Sequence, residues 1–172
     1  PSARGFGESV RMMADIGADE EIVNAFVLDT DEKYLLVARH GTGFIVSGEN
    51  CLAQTRSGKQ VMNTTAKNPA SMCIPKNNGE MLAIIGSNDK LLIFSADQIP
   101  EMVRGKGVIL QKYNAERTYV MDVMFFNSTE GFGWTTGRGR TVLDDWSPWV
   151  AKRASQGQTI PVGFPRSGKF NK

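Results

Sequence analysis

The run Tyr34-Leu35-Leu36-Val37-Ala38, the turn His40-Gly41-Thr42-Gly43, the run Phe44-Ile45-Val46 and the later element Arg56-Ser57-Gly58-Lys59-Gln60-Val61-Met62 form one pattern, and the chain repeats it. The second copy reads Glu80-Met81-Leu82-Ala83-Ile84-Ile85, turn Gly86-Ser87-Asn88-Asp89-Lys90, Leu91-Leu92-Ile93-Phe94, then Arg104-Gly105-Lys106-Gly107-Val108-Ile109-Leu110. A more diverged third copy has Gly131-Phe132-Gly133-Trp134-Thr135-Thr136, turn Gly137-Arg138-Gly139-Arg140, Thr141-Val142-Leu143, then Arg153-Ala154-Ser155-Gln156-Gly157-Gln158. The marker arginines Arg56, Arg104 and Arg153 stand 48 and 49 residues apart, and the copies occupy approximately 22–63, 71–113 and 120–164. Short aliphatic and β-branched runs bounded by Gly, Asn and Asp read as antiparallel strands joined by tight turns, so the expected class is all-β. A repeat of roughly 40 to 50 residues with about four short strands is the size of one propeller-type blade, which buries its faces only against its neighbours.

The expected architecture is therefore a propeller-like disc of four-stranded blades, about three blades plus part of another. The opening stretch Arg4-Gly5-Phe6-Gly7-Glu8-Ser9-Val10-Arg11-Met12 matches the Arg-x-Gly element and begins 52 residues before Arg56, so residues 1–13 read as the remnant of a preceding blade. Closed propellers have about four to eight blades, which points to a truncated array or an open disc.

At 172 residues, with 41% hydrophobic and 22% charged residues, the composition is that of one soluble domain. No stretch approaches the roughly 18 consecutive apolar residues of a membrane span. The first residues lack the apolar run of a signal peptide, and a reducing cytoplasm is expected. Cys51 and Cys73 lie beside Leu52, Met72 and Ile74 and read as small apolar packing residues with no assigned chemistry.

The formal net charge of +2 hides an asymmetry: residues 1–103 hold 9 Lys/Arg against 13 Asp/Glu, and residues 104–172 hold 11 against 5. A positive field confined to part of the surface is compatible with so small a total. Each Gly-Lys or Gly-Arg turn has a plain reading, since glycine supplies positive φ and a cation guards a sheet edge. Recurrence adds to it. Stacked repeats bring equivalent positions to one rim, so Arg56, Lys59, Arg104, Lys106, Arg138, Arg140, Lys152 and Arg153 are the candidate nucleic-acid contacts, acting on phosphates more than on bases. From spacing alone a nucleic-acid rim and a protein-interaction propeller stay equally open.

Enzymatic readings fail on the residues. Ser57-Gly58-Lys59-Gln60 and Ser167-Gly168-Lys169-Phe170 lack the Ser/Thr that follows the lysine of a phosphate-binding loop. One histidine, His40, and two distant cysteines make no zinc site, and His40 reads as a turn residue. The acid pair Asp144-Asp145 reads as a turn, because adjacent strand positions face opposite ways. Trp134, Trp146 and Trp149 fit blade packing better than stacking platforms for bases. From Ser155 onward the chain is rich in Gly, Pro and Lys, and its last residues read as a loose basic tail.

Taken together, Glu20-Glu21-Ile22-Val23, Tyr34-Leu35-Leu36-Val37-Ala38, Gly43-Phe44-Ile45-Val46, Ala53-Gln54-Thr55-Arg56-Ser57-Gly58-Lys59-Gln60-Val61-Met62-Asn63, and Lys90-Leu91-Leu92-Ile93-Phe94 with Arg104-Gly105-Lys106-Gly107-Val108 are far more specific than any single turn. They resemble the C-terminal domain shared by the A subunits of bacterial gyrase and topoisomerase IV. That resemblance implies a β-pinwheel, propeller-like but with strands exchanged between blades. It implies a domain that binds and bends double-stranded DNA at a basic rim, presenting the transported segment for decatenation and supercoil relaxation. The gyrase glutamine-, arginine- and glycine-rich box has only a degenerate relative in Arg104-Gly105-Lys106-Gly107, which favours the topoisomerase IV branch over a gyrase wrapping domain. The resemblance places the cleavage tyrosine in another domain, ATP and Mg2+ in other domains or the partner B subunit, and dimerisation in the parent A subunit. It implies no cofactor in this domain and no catalytic role for Tyr34, Tyr113 or Tyr119.

Overall fold

A computed structural model describes Gly5 and residues 7–171. Its ten strands are β1 (Lys33–Ala38), β2 (Thr42–Ser47), β3 (Ala70–Pro75), β4 (Met81–Gly86), β5 (Lys90–Ser95), β6 (Val108–Ile109), β7 (Val120–Phe126), β8 (Gly133–Thr136), β9 (Gly139–Val142) and β10 (Gln158–Thr159). Two four-residue helices, α1 (Val10–Met13) and α2 (Gly48–Cys51), and two single 3-10 turns accompany them. The strands form sheets ordered β3-β1-β2-β6, β10-β5-β4-β7 and β8-β9.

Each repeat starts as a hairpin whose register follows from its turn. Leu35 pairs with Ile45 and Val37 with Gly43 in the first; Ile84 pairs with Leu92 and Gly86 with Lys90 in the second; Trp134 pairs with Thr141 in the third. The apolar runs are continuous because both faces of the strands are covered. Leu35, Val37, Leu82, Ile84, Leu92 and Phe94 fill the seam between the first two sheets. The opposite face of the second sheet, with Ala83, Ile85, Leu91 and Ile93, packs on Phe132 and Trp134 of the third. Successive side chains point to opposite faces, so a run buried throughout must lie between two neighbours.

The exchange of strands appears in the pairing. β6, which follows Arg104, joins β2 of the preceding repeat, and β10, which follows Arg153, joins β5. Glycine makes this approach possible: Gly107 (φ +76°) and Gly157 (φ +83°) adopt left-handed backbone, and a Cβ on either would collide with the carbonyl oxygen of Gly43 or Leu91. Gly58 adopts the same conformation (φ +79°) but faces open space. The later part of its element meets the next repeat, where the Gly105 amide donates to the Val61 carbonyl (3.1 Å), the Asn63 amide donates to the Gly105 carbonyl (2.8 Å), and Met62 and Gly105 form a parallel bridge.

Two regions differ from the sequence reading, and a third lies partly outside the described residues. The third sheet has two strands among the described residues, and β9 is exposed along its whole length, because Gly139-Arg140-Thr141 brings little apolar surface to bury. Of the opening stretch matched to the Arg-x-Gly element, Pro1–Arg4 and Phe6 lie outside the described residues, and the following residues turn into α1. The segment expected as a loose tail is pinned: Phe164 and Phe170 are buried with rings 5.5 Å apart, and Phe170 sits 5.8 Å from Phe132. The Phe170 amide donates to Asp122 Oδ2 (2.8 Å) and the Lys169 ammonium to the Met121 carbonyl, so two aromatic anchors override the Gly- and Pro-rich composition. Lys172 lies outside the described residues.

Cys51 and Cys73 are free thiols packed around Tyr34, Phe44 and Val46, as small apolar residues would be. Burial pushes the Cys73 thiol up to about 11, which leaves it protonated at neutral pH. Among the described residues no helix is long and apolar enough to cross a membrane.

Candidate nucleic-acid interface

Six of the eight cations singled out by sequence have their heads in solvent: Arg56, Lys59, Lys106, Arg138, Arg140 and Lys152 are exposed and pair with no carboxylate among the described residues. The one ion pair found among the described residues joins Lys33 to Glu101 (2.6 Å). Arg138 and Arg140 flank the β8–β9 turn, which is closed by Thr136 Oγ1 accepting from the Arg138 amide (3.2 Å). Arg56 and Lys59 lie on the turn closed by the Gly58 amide donating to the Thr55 carbonyl (3.1 Å). Only the Arg138 turn joins two strands, and Arg140 beside it lies 3.5 Å through Nη2 from the Glu130 carbonyl.

The other two marker arginines are used within the protein. Arg104 donates from Nη2 to Gln60 Oε1 (2.8 Å) and from Nε to Asn63 Oδ1 (3.2 Å). Arg153 donates from Nη1 to the Ile109 carbonyl (2.6 Å), while its amide donates to Gln98 Oε1 (2.8 Å). Each guanidinium reaches back 44 residues to the Arg-x-Gly element of the repeat before it. Recurrence of these arginines therefore has a structural cause, the bracing of adjacent repeats, beside any contribution of charge. Arg56 has the same place in its repeat and no such partner among the described residues.

Other cations are brought to the same region without standing in repeat register. Lys67 caps the turn in which the Thr65 and Asn68 backbones bond each other, and Asn68 ties that turn to the β1–β2 hairpin by accepting from the His40 amide (2.7 Å) and donating to Thr42 Oγ1 (3.2 Å). Lys67, His40 and Lys112 line one cleft; Lys106 and Arg153 line the next, and the two clefts share Ile109. A repeat alignment gives Lys67 and Lys112 no weight; they line the cleft that adjoins the Lys106 cleft at Ile109, on the strand that pairs with β2. Arg39, at the β1–β2 tip, lies 4.7 Å from the centre of the Tyr119 ring, as a cation–π pair.

The aromatic residues serve the core. Trp134 is 2% exposed, Trp146 packs edge-on to Phe126 at 5.3 Å, and Trp149 Nε1 donates to the Thr159 carbonyl (2.8 Å). No indole among them lies flat and open for a base. Burial pushes the Tyr113 hydroxyl well above its usual range, and it donates to Gln111 Oε1 (3.1 Å). His40 Nδ1 lies 3.0 Å from the Thr118 carbonyl, a position that orients the ring and links no nucleophile.

An exposed set of cations of this kind can hold an extended polyanion. No family model matches the chain. It is 37% identical over 168 residues to the A subunit of DNA topoisomerase 4 from Rickettsia conorii and 40% identical over 172 residues to its counterpart from Caulobacter vibrioides. Those alignments cover 98% and 99% of this chain and 22% of each relative, so the chain spans about a fifth of their length. Its backbone superposes on the Escherichia coli ParC C-terminal domain with a TM-score of 0.80 at 18% identity, covering 96% of this chain and 70% of that one. The gyrase A C-terminal domain matches with a TM-score of 0.66 at 17% identity, covering 89% of this chain and 52% of that one. The fold comes from the superpositions and the branch from sequence: this chain belongs to the topoisomerase IV A-subunit family, as a β-pinwheel of the C-terminal-domain type.

Proposed function

We propose that this domain binds duplex DNA along its exposed cations and bends it, holding a segment for transport by a topoisomerase IV that decatenates and relaxes DNA. The observation that carries this reading is the set of six exposed cations, spread over all three repeats, with no carboxylate partner among the described residues. A rim that neutralises phosphates and releases counterions binds without reading bases, and a curved rim favours curved DNA. In this reading the strand-cleaving tyrosine, the ATP site and its Mg2+ belong to other parts of an assembly of two A subunits and its B partners, working on the chromosome in the cytoplasm. The domain supplies DNA capture and orientation and needs no cofactor.

Bending is tested with a short duplex carrying a donor and an acceptor dye at its ends. The duplex should be far below the roughly 150-bp persistence length, so that free DNA is nearly straight. Energy transfer is expected to rise as the domain is added at low salt and to fall again as salt is raised. Saturable binding with unchanged transfer would mean that the rim holds straight DNA and the bending assignment is wrong.

A further inference from the structure

We propose, resting on the DNA-binding reading above, that the cleft between the first two repeats is a seat for a backbone phosphate, with Lys106 and the Asn63 amide as its principal contacts. The cleft is lined by Thr42, Asn63, Thr65, Lys106 and Arg153, and no carboxylate lines it. Its hydrogen-bond character is one-sided. Asn63 Oδ1 already accepts from Arg104 Nε (3.2 Å), Thr42 Oγ1 from Asn68 Nδ2 (3.2 Å), and Thr65 Oγ1 from the Asn68 amide (3.1 Å). With those oxygens engaged, the side-chain groups the cleft has left to offer are the Asn63 NH2, two hydroxyl hydrogens, the Lys106 ammonium and Arg153 Nη2.

A surface of donors and positive charge, with its acceptors engaged, complements a group that has only acceptors and one negative charge. A phosphodiester is such a group, whereas a peptide or a sugar would present donors with nothing to receive them. The geometry also explains why the seat lies at a seam. Asn63 belongs to the first repeat and Lys106 to the second, and Arg104 holds them in register by bonding Gln60 and Asn63. Arg104 is thus a positioning residue for the seat. A DNA strand would cross from one repeat to the next here, along the line that also exposes Lys67 and Lys112.

Asn63→Asp separates the alternatives, because it keeps the oxygen that receives Arg104 and replaces the free amide by a second, negative oxygen. In the 172-residue chain, duplex affinity at low salt is expected to fall about tenfold, with the melting temperature not lowered. Lys106→Ala, at an exposed side chain, is expected to flatten the plot of log affinity against log salt by about 0.9, the loss of one phosphate contact. Wild-type binding by both variants, with weakening confined to Arg138→Ala/Arg140→Ala, would overturn the seat and leave the DNA-binding rim intact. Absence of duplex binding by the unmodified chain would overturn the rim reading, and the seat with it.

Discussion

Gly107→Ala is expected to destabilise the domain by roughly 3 kcal/mol or more, against about 1–2 kcal/mol for Gly58→Ala, although both glycines closely follow the marker arginine of their repeat. Both have left-handed backbone, at +76° and +79°, so both substitutions carry the strain of an L side chain there. Only Gly107 faces another strand. Its new methyl group would meet the carbonyl of Gly43 and push β6 away from β2, opening the ladder that joins the second repeat to the first. Gly58 has no atom within 4 Å of such a methyl. Urea unfolding of the two variants measures the difference as a shift in midpoint. Equal losses would mean that backbone strain alone accounts for the glycines and that the strand exchange contributes little to stability.

Removing Arg138, Arg140 and Lys152 together, as alanines, is expected to weaken duplex binding about a hundredfold near 0.1 M salt, taking about 1 kcal/mol for each lost contact. The salt dependence should flatten by about 2.7, three phosphates at about 0.9 each. All three side chains are exposed and unpaired with any carboxylate, so the fold should be indifferent to their loss. Arg104→Ala is the informative contrast. It removes two hydrogen bonds between repeats and is expected to cost about 1–2 kcal/mol of stability, with a smaller change in salt slope than Lys106→Ala. Circular dichroism melts and fluorescence anisotropy titrations at several salt concentrations separate the two classes. A triple variant that binds with wild-type slope would remove the β8–β9 hairpin from the interface.

Most of the fold was legible in the repeat. Aliphatic runs spaced by Gly, Asn and Asp located every hairpin, and their recurrence pointed to stacked sheets. What the pattern does not carry is where a sheet ends. β6 and β10 belong to the preceding sheet, as their pairing with β2 and β5 and the contacts of Gly107 with Gly43 and of Gly157 with Leu91 show. Composition misled at the end of the chain, where Phe164 and Phe170 anchor a segment whose Gly and Pro content reads as loose.

The site was legible in part, for a related reason. A recurring arginine looks alike in sequence whether it meets solvent or a neighbouring repeat, and Arg104 and Arg153 are hydrogen-bonded across the seams. Arg138, on the β8–β9 turn, and Arg140, on β9, stay exposed because β9 has no partner strand on its outer edge among the described residues, and Arg140 reaches only the Glu130 carbonyl (3.5 Å). Lys67 and Lys112 have no repeat equivalents, so no spacing argument reaches them; they join the cationic region through the tertiary placement of the Thr65–Asn68 turn and the chain after β6.

The central claim, that the exposed cations form a DNA-binding rim, is tested most directly by titrating the purified chain with duplex DNA across a salt series. The account predicts micromolar or tighter binding at low salt, indifferent to base sequence, with log affinity falling linearly against log salt at a slope of about −4.5 to −6.3 for roughly five to seven phosphates. No binding at low salt, or binding that salt leaves unchanged, would contradict it and leave the exposed cations as solubilising groups on a domain that recognises something other than a polyanion.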